Sequence, residues 1–367
     1  MIRILFIVGS MNVGGAETFI MKMYRVIDKK KFCFDFCVAS QGYYDSEIKQ
    51  LGGIIYQISS KKKSLFKNAL SIKKIVSNNH YKNVMRISQH SLSSLDLLAA
   101  KRGGASNCIF RSSNTNTGSN LIVTILHFMF RFLANVVPDT RIAPSYEAGV
   151  FMFGKKAMKN NKVMILYNGI NPDVFFFDIE KRNNTRKKLQ IDSSFVVGHI
   201  GRFSKQKNHI FLLQVFQELL KIKPNAKLLL VGKGENEEQV RNMVKDLKLK
   251  DKVLFLGLRH DIPELLMSMD LFIFPSLFEG LPNCVIEAQA TGLNSIISDT
   301  ISKDTNISPY VKYLSLKDSP KEWAIAGCSM PTGDRRKAIQ NFKKTKFDIN
   351  QTVTDFCSLL RIEPDND

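Results

Sequence analysis

The chain has 367 residues, 44% apolar and 23% charged, which suits two domains and excludes disordered and fibrous classes. Six scattered cysteines with no Cys-x-x-Cys pair, and no apolar run near the ~20 residues of a membrane helix, set aside a disulfide-stapled secreted fold and an integral membrane protein. The net charge of +20 is uneven: residues 1–175 carry 24 Lys and Arg against 9 Asp and Glu, a net of +15, and residues 176–367 carry 29 against 24, a net of +5.

In chain order, Met1–Gly9 is an apolar run that meets a glycine turn and lacks a small-residue cleavage site, so it reads as a buried strand rather than a signal segment. Strands are expected at Ile2–Val8, Phe34–Val38, Gly53–Tyr56, Val84–Ile87, Asn107–Arg111 and Arg141–Pro144, with a helix at Glu17–Asp28. Two further stretches carry apolar residues at helical spacing: Ser64–Val76, beside Lys67, Lys73 and Lys74, and Leu121–Val137, with Arg131 inside it. Each fits either a membrane-surface helix or an ordinary surface helix with a core-facing side. Asn168-Gly169-Ile170-Asn171-Pro172 is the natural boundary. Strands follow at Phe195–Ile200, Lys227–Val231, Val253–Leu256, Leu271–Phe274 and Asn294–Ser298, with helices at Asn208–Lys221, Glu235–Leu247 and Pro282–Ala290. The stretch Arg335–Leu360 reads as helix, able to pack back across the boundary. This alternation predicts an α/β protein of two facing doubly wound domains, residues 1–170 and 171–345, with a C-terminal helix and tail over 346–367.

The basic field favours an anionic partner, although a lysine-heavy surface needs none. Nucleic acid fits poorly, because Lys29–Lys31, Lys61–Lys63 and Lys155-Lys156 lack interleaved aromatics and no zinc-finger spacing exists. An anionic membrane surface touching the basic first domain fits better, and the protein reads as cytoplasmic, peripheral on the inner face of the plasma membrane.

Three motifs carry chemistry. Gly9–Glu17 joins the first strand to the first helix without being a P-loop or a Gly-x-Gly-x-x-Gly turn. Gly14 and Gly15 leave room for a ligand to approach the backbone, or simply make a tight turn. Gly201–Asn208 places Arg202 and Lys207 on one loop ahead of a helix, an arrangement suited to a diphosphate. Phe274–Glu287 is the most informative: a strand end, a glycine loop and a helix start, with Glu279 in the loop and Glu287 in an otherwise apolar helical run. Carboxylates accept hydrogen bonds from sugar hydroxyls, so two at different depths can hold two parts of one nucleotide sugar.

Together, Glu279-x7-Glu287, Arg202 with Lys207, the Gly14-Gly15-Ala16-Glu17 turn and the Asn168-Gly169-Ile170 linker resemble the retaining glycosyltransferases of family 4, which have the GT-B fold. The loops Val231–Gly234 and Gly257–Ile262 fall where that family approaches the nucleotide, and Ala288–Asn306 is similar to the exopolysaccharide, capsule and O-antigen branch. The resemblance implies a transferase moving a sugar from a nucleotide-diphosphate sugar, by family habit a UDP-sugar, to a lipid-pyrophosphate-linked glycan. Arg202 and Lys207 would neutralise the leaving diphosphate, Glu279 would hold the sugar, and Glu287 the ribose. The backbone over Gly280, Leu281, Pro282 and Asn283 would lie near the phosphates, and Gly14 and Gly15 would close over the donor. No cofactor and no metal are implied; the lone Asp-x-Asp is Asp365-Asn366-Asp367. The family's histidine near the reacting sugar has no counterpart after the strand ending at Arg111, which leaves Arg111 and His90 as acceptor-side candidates. A dinucleotide oxidoreductase lacks its glycine fingerprint here. The remaining alternative is a non-catalytic GT-B-like binder of polyanions or of a partner.

Overall fold

The computed structural model describes residues 1–60, 64–113, 121–279, 281–331 and 333–361. The chain divides into two units, Met1–Ile170 with Ile349–Asp367, and Asn171–Asp348.

The first unit is built on seven parallel strands: β1 (Ile2–Ile7), β2 (Phe32–Val38), β3 (Ile55–Gln57), β4 (Asn83–Ser88), β5 (Asn107–Ser112), β6 (Thr140–Ala143) and β7 (Met164–Ile165), in the order β3-β2-β1-β4-β5-β6-β7. Its central strands are apolar on both faces because helices cover both faces of the sheet. In β1, Ile4 and Phe6 enter one core with Phe34, Phe36 and Tyr24, and Leu5 and Ile7 enter the other with Val84, Cys108 and Phe110. Asp35 interrupts this pattern in β2, fully buried, and its carboxylate is satisfied by Arg3, by the Tyr81 hydroxyl at 2.6 Å and by the Ile54 N–H at 2.7 Å.

The segment read as one C-terminal helix is broken. A 3-10 turn at Arg335–Lys337 and the helix Ala338–Phe342 belong to the second unit, and a separate helix, Ile349–Ser358, belongs to the first. The break lies at Thr345, whose hydroxyl donates to the Phe342 carbonyl at 2.8 Å and accepts from the Phe347 N–H at 3.3 Å, competing with the helical bonds. Ile349–Ser358 packs on the helix Gly15–Val26, and Phe356 sets its ring 6.2 Å from Phe6 and 5.8 Å from Phe34. Asn83 donates to the Arg361 carbonyl at 3.1 Å and accepts from the Arg361 N–H at 3.0 Å.

The second unit holds six parallel strands: β8 (Val196–Ile200), β9 (Lys227–Val231), β10 (Val253–Gly257), β11 (Leu271–Phe274), β12 (Ser295–Ser298) and β13 (Val311–Leu314), in the order β10-β9-β8-β11-β12-β13. Both sheets are therefore doubly wound, and each reverses direction once, between β1 and β4 and between β8 and β11. Ligands of such sheets bind at the carboxyl ends of the strands flanking that reversal.

Candidate functional site

In the second unit the loops that leave β8 and β11 carry the motifs singled out in the sequence. After β8 the chain makes a 3-10 turn at Lys205–Lys207, passes through Asn208 at a left-handed φ of 56°, and enters the helix His209–Ile222. The loop beyond β9 lies directly against it. Phe203 N–H donates to the Lys233 carbonyl at 3.2 Å and Asn236 N–H to the Phe203 carbonyl at 2.9 Å. A Cβ on Gly232 would collide with the Gly201 carbonyl oxygen, and one on Gly234 with that of Phe203, so both glycines are required by backbone-to-backbone approach.

Lys207 and Glu279 meet. The ammonium Nζ is 2.5 Å from Glu279 Oε1, with both side chains about 15% exposed, and it sits 4.5 Å from the centre of the Phe274 ring. Gln206, not singled out in the sequence, completes the cluster. Its side-chain amide donates to Glu279 Oε1 at 3.0 Å and to the Phe278 carbonyl at 2.8 Å, while its backbone carbonyl accepts from Leu277 N–H at 2.8 Å. Glu279 also bridges in parallel to Ile301, tying this loop to the one after β12. The carboxylate is thereby fixed by two side chains on a loop that is itself tied down, and largely enclosed, a geometry able to accept hydroxyl donors in a defined direction.

Arg202 stands apart from this pair. Its side chain is 72% exposed and its Nε and Nη2 lie 3.0 Å from Glu235 Oε2. An exposed pair of this kind contributes little, so an incoming anion can displace Glu235 readily. Leu281 and Asn283 are half-buried and Pro282 is buried, at the start of the helix Asn283–Ala290. Gly280 lies outside the described residues. Glu287 is half-buried on that helix. Burial pushes the Cys284 thiol up to about 12.

Beneath Lys207 lies a histidine pair absent from the sequence reading. His199 and His209 are buried with ring centres 4.6 Å apart, and His209 stacks on Phe203 at 4.3 Å. Burial holds His199 well below the ordinary imidazole value and His209 down to about 4, with the charge of Lys207 adding to both effects. The signal available in the sequence was a histidine inside an apolar strand and another just after the loop.

In the first unit, Gly14 caps the helix Gly15–Val26, and His90 follows β4, so both stand at the reversal between β1 and β4. A Cβ on Gly14 would collide with the Glu17 carboxylate, whereas Gly15 faces open space. His90 is half-buried and its N–H donates to Ser88 Oγ at 3.1 Å. Arg111 is placed differently from an acceptor-binding side chain on a surface. It is 1% exposed, its guanidinium lies 3.8 Å over the Phe19 ring, and Nη2 donates to Asn168 Oδ1 at 2.7 Å. Burial lowers its pKa to about 9. Arg111 thus ties the end of β5 to the linker.

Among the described residues no group of three or more His, Cys, Asp or Glu is placed to hold a metal ion, and no helix is long and apolar enough to cross a membrane.

The family model described as "Glycosyl transferases group 1" matches residues 181–324. The putative glycosyltransferase EpsF of Bacillus subtilis (strain 168) is 32% identical over 378 aligned residues, covering 100% of this chain and 98% of that protein. The capsular polysaccharide biosynthesis glycosyltransferase CapH of Staphylococcus aureus is 28% identical, over 96% of this chain and 97% of its own length. An Escherichia coli UDP-Gal:alpha-D-GlcNAc-diphosphoundecaprenol alpha-1,3-galactosyltransferase is 34% identical over 142 residues, 38% of this chain and 37% of that enzyme. Among solved structures, Anabaena Alr3699/HepE in complex with UDP and glucose superposes with a TM-score of 0.76 at 19% identity, covering 98% of this chain and 99% of the other.

Proposed function

The chain belongs to the group 1 glycosyltransferases of GT-B fold, enzymes of bacterial polysaccharide synthesis, and on that premise we propose that it moves a sugar, with retention of anomeric configuration, from a UDP-sugar to a lipid-pyrophosphate-linked glycan. The observation that carries this reading is the Gln206–Lys207–Glu279 cluster at the β8/β11 reversal. Lys207 is a nearly dry cation, and the charge that develops on a departing diphosphate is stabilised most by a preorganised, poorly hydrated charge. Arg202, released from Glu235, adds a planar fork for the same oxygens. Glu279, once Lys207 turns to phosphate, accepts from hydroxyls of the transferred sugar while Gln206 keeps its orientation. Glu287 takes the ribose hydroxyls. No metal is invoked, since two cations supply the neutralisation that a metal would otherwise give.

The first unit takes the acceptor, with His90 as the candidate beside the acceptor hydroxyl. The net of +15 over residues 1–175 suits a pyrophosphate and an anionic leaflet, which supports a place for the enzyme on the inner face of the plasma membrane. The relatives whose names include diphosphoundecaprenol support a lipid-linked acceptor, and the UDP complexes among the structural neighbours support UDP.

A thermal-shift comparison of UDP, GDP, ADP and NAD tests the class. A nucleotide at a hundredfold excess over its Kd stabilises the state it binds by about 2.7 kcal/mol. A rise with UDP and none with NAD is expected, followed by sugar transfer in which the product anomer, read by NMR, matches the donor. No shift with any nucleotide would favour a non-catalytic binder.

A further inference from the structure

The helix Leu121–Met129 is inverted with respect to solvent. His127 is its only buried residue, while Leu121, Ile122, Ile125, Phe128 and Met129 are between 49% and 72% exposed, and no acidic residue, lysine or arginine interrupts it. Its buried anchor is polar. His127 Nδ1 accepts from the Ser91 N–H at 3.1 Å, the Ser91 hydroxyl donates to the His127 carbonyl at 2.7 Å, and the ring stacks on Phe151 at 4.4 Å. The helix Leu65–Asn78 shows the same feature at its start, with Leu65 65% and Phe66 78% exposed.

These two helices and the helix Ser94–Arg102 line a groove of about 1010 Å³. Its lining is dominated by side chains such as Phe66, Ala69, Leu95, Leu98 and Leu126, with His90 among them. Soluble chains do not leave apolar surface of this extent uncovered without a ligand or partner.

We propose that this groove holds the hydrocarbon chain of the lipid-linked acceptor, an inference that rests on the acceptor class given above. Three observations select that occupant. The groove is concave and large, whereas a flat bilayer would touch only its outer ridges, so an inserted chain fits its shape. The cations in its lining are Lys73 and Arg102, both exposed, and its one acid, Asp96, is ion-paired to Arg86 at 2.9 Å, so the groove suits an amphiphile with an anionic head. It also reaches His90, at the reversal between β1 and β4 where a ligand of this sheet is expected. A second copy of the chain is disfavoured, since it would bring one strongly basic half against another.

The test uses the full chain and calorimetric titration with farnesyl phosphate, kept below its aggregation threshold, against ethyl phosphate. Burial of the prenyl chain should make farnesyl phosphate the tighter ligand by roughly a hundredfold or more, with a negative heat-capacity change. Ala69→Trp, which fills the groove, should abolish that advantage, while Leu121→Ser/Ile122→Ser, outside the lining, should keep it within about threefold. Leu126→Ser is the second groove variant, should Ala69→Trp not fold. Equal affinity for the two phosphates, or farnesyl phosphate binding indifferent to the groove variants, overturns the proposal. So does binding of anionic vesicles through Leu121 and Ile122 with no affinity for farnesyl phosphate, which would make the patch a bilayer contact. The titration contains no nucleotide, so failure of the donor reading shows separately, as absence of a UDP thermal shift in the same protein.

Discussion

Lys207 concentrates several constraints on one ammonium group. It is paired with Glu279, set over the Phe274 ring, and its stem runs past Gly201, where a Cβ would come within 3.2 Å of its Cδ. Lys207→Ala should lower kcat/KM by roughly 10²–10³-fold, measured as sugar transfer, with the far-ultraviolet circular dichroism unchanged. Glu279→Ala should cost as much, because it removes the sugar contact and leaves Lys207 without its partner. The histidines beneath them give the fold a pH dependence of defined sign. His209 is held near 4 in the folded chain against an ordinary 6.5, so as pH falls the unfolded chain takes up the proton first. Its contribution is complete above pH 6.5 and is lost as pH drops toward 4, about 2 kcal/mol having gone by pH 5. His199 shifts in the same direction and steepens the loss. Urea unfolding at pH 7.5 and pH 5 measures it, and His209→Phe, which keeps the stack on Phe203, should flatten the dependence. Lys207 and Glu279 were legible as charged residues in loops that follow apolar strands. The grip of Gln206 on Glu279 and of Glu235 on Arg202 was not, because partners 73 and 33 positions apart leave no local pattern. The buried contacts of Arg111 were hidden for the same reason, its distance from Phe19 and Asn168 in the chain.

At the level of elements, the close approach of the loops after β8 and β9 is as exacting as any side chain. Gly232 has a φ of 139° and its missing Cβ makes room for the Gly201 carbonyl. Gly232→Ala should destabilise the second unit by roughly 2 kcal/mol or more and weaken UDP binding, both visible in one melting experiment with and without nucleotide. Apolar runs bounded by polar turns marked eleven strands, and the two omitted were β7 and β13. β7 is only two residues long, too short for any periodicity to register. β13, Val311–Leu314, lies at the sheet edge, only partly buried and with an exposed lysine, so it lacks the continuous apolar signature of a central strand. The helix Leu121–Met129 marks a different limit. Its sequence is apolar enough for a core helix, and only the structure reveals that its apolar residues face outward.

Across the whole molecule, two doubly wound sheets were foreseeable from the alternation of strands and amphipathic segments. The break at Thr345 was not, since Arg335–Leu360 keeps an apolar spacing through it. Phe356, carried by the helix Ile349–Ser358, is wholly buried in the core of the first unit. Phe356→Ala should cost that unit roughly 3–5 kcal/mol while UDP still stabilises the second, which calorimetry with and without nucleotide would separate. That late contribution also dictates an order of events during synthesis. Asn83 and Arg361, joined by two hydrogen bonds, are 278 residues apart, so the first unit leaves the ribosome with part of its core still unmade. Asn171–Asp348 is contiguous and can close on itself while its predecessor waits. The half made first is therefore the half finished last, and for that interval the apolar side chains of Phe6 and Phe34 lie exposed to whatever chaperone meets the nascent chain.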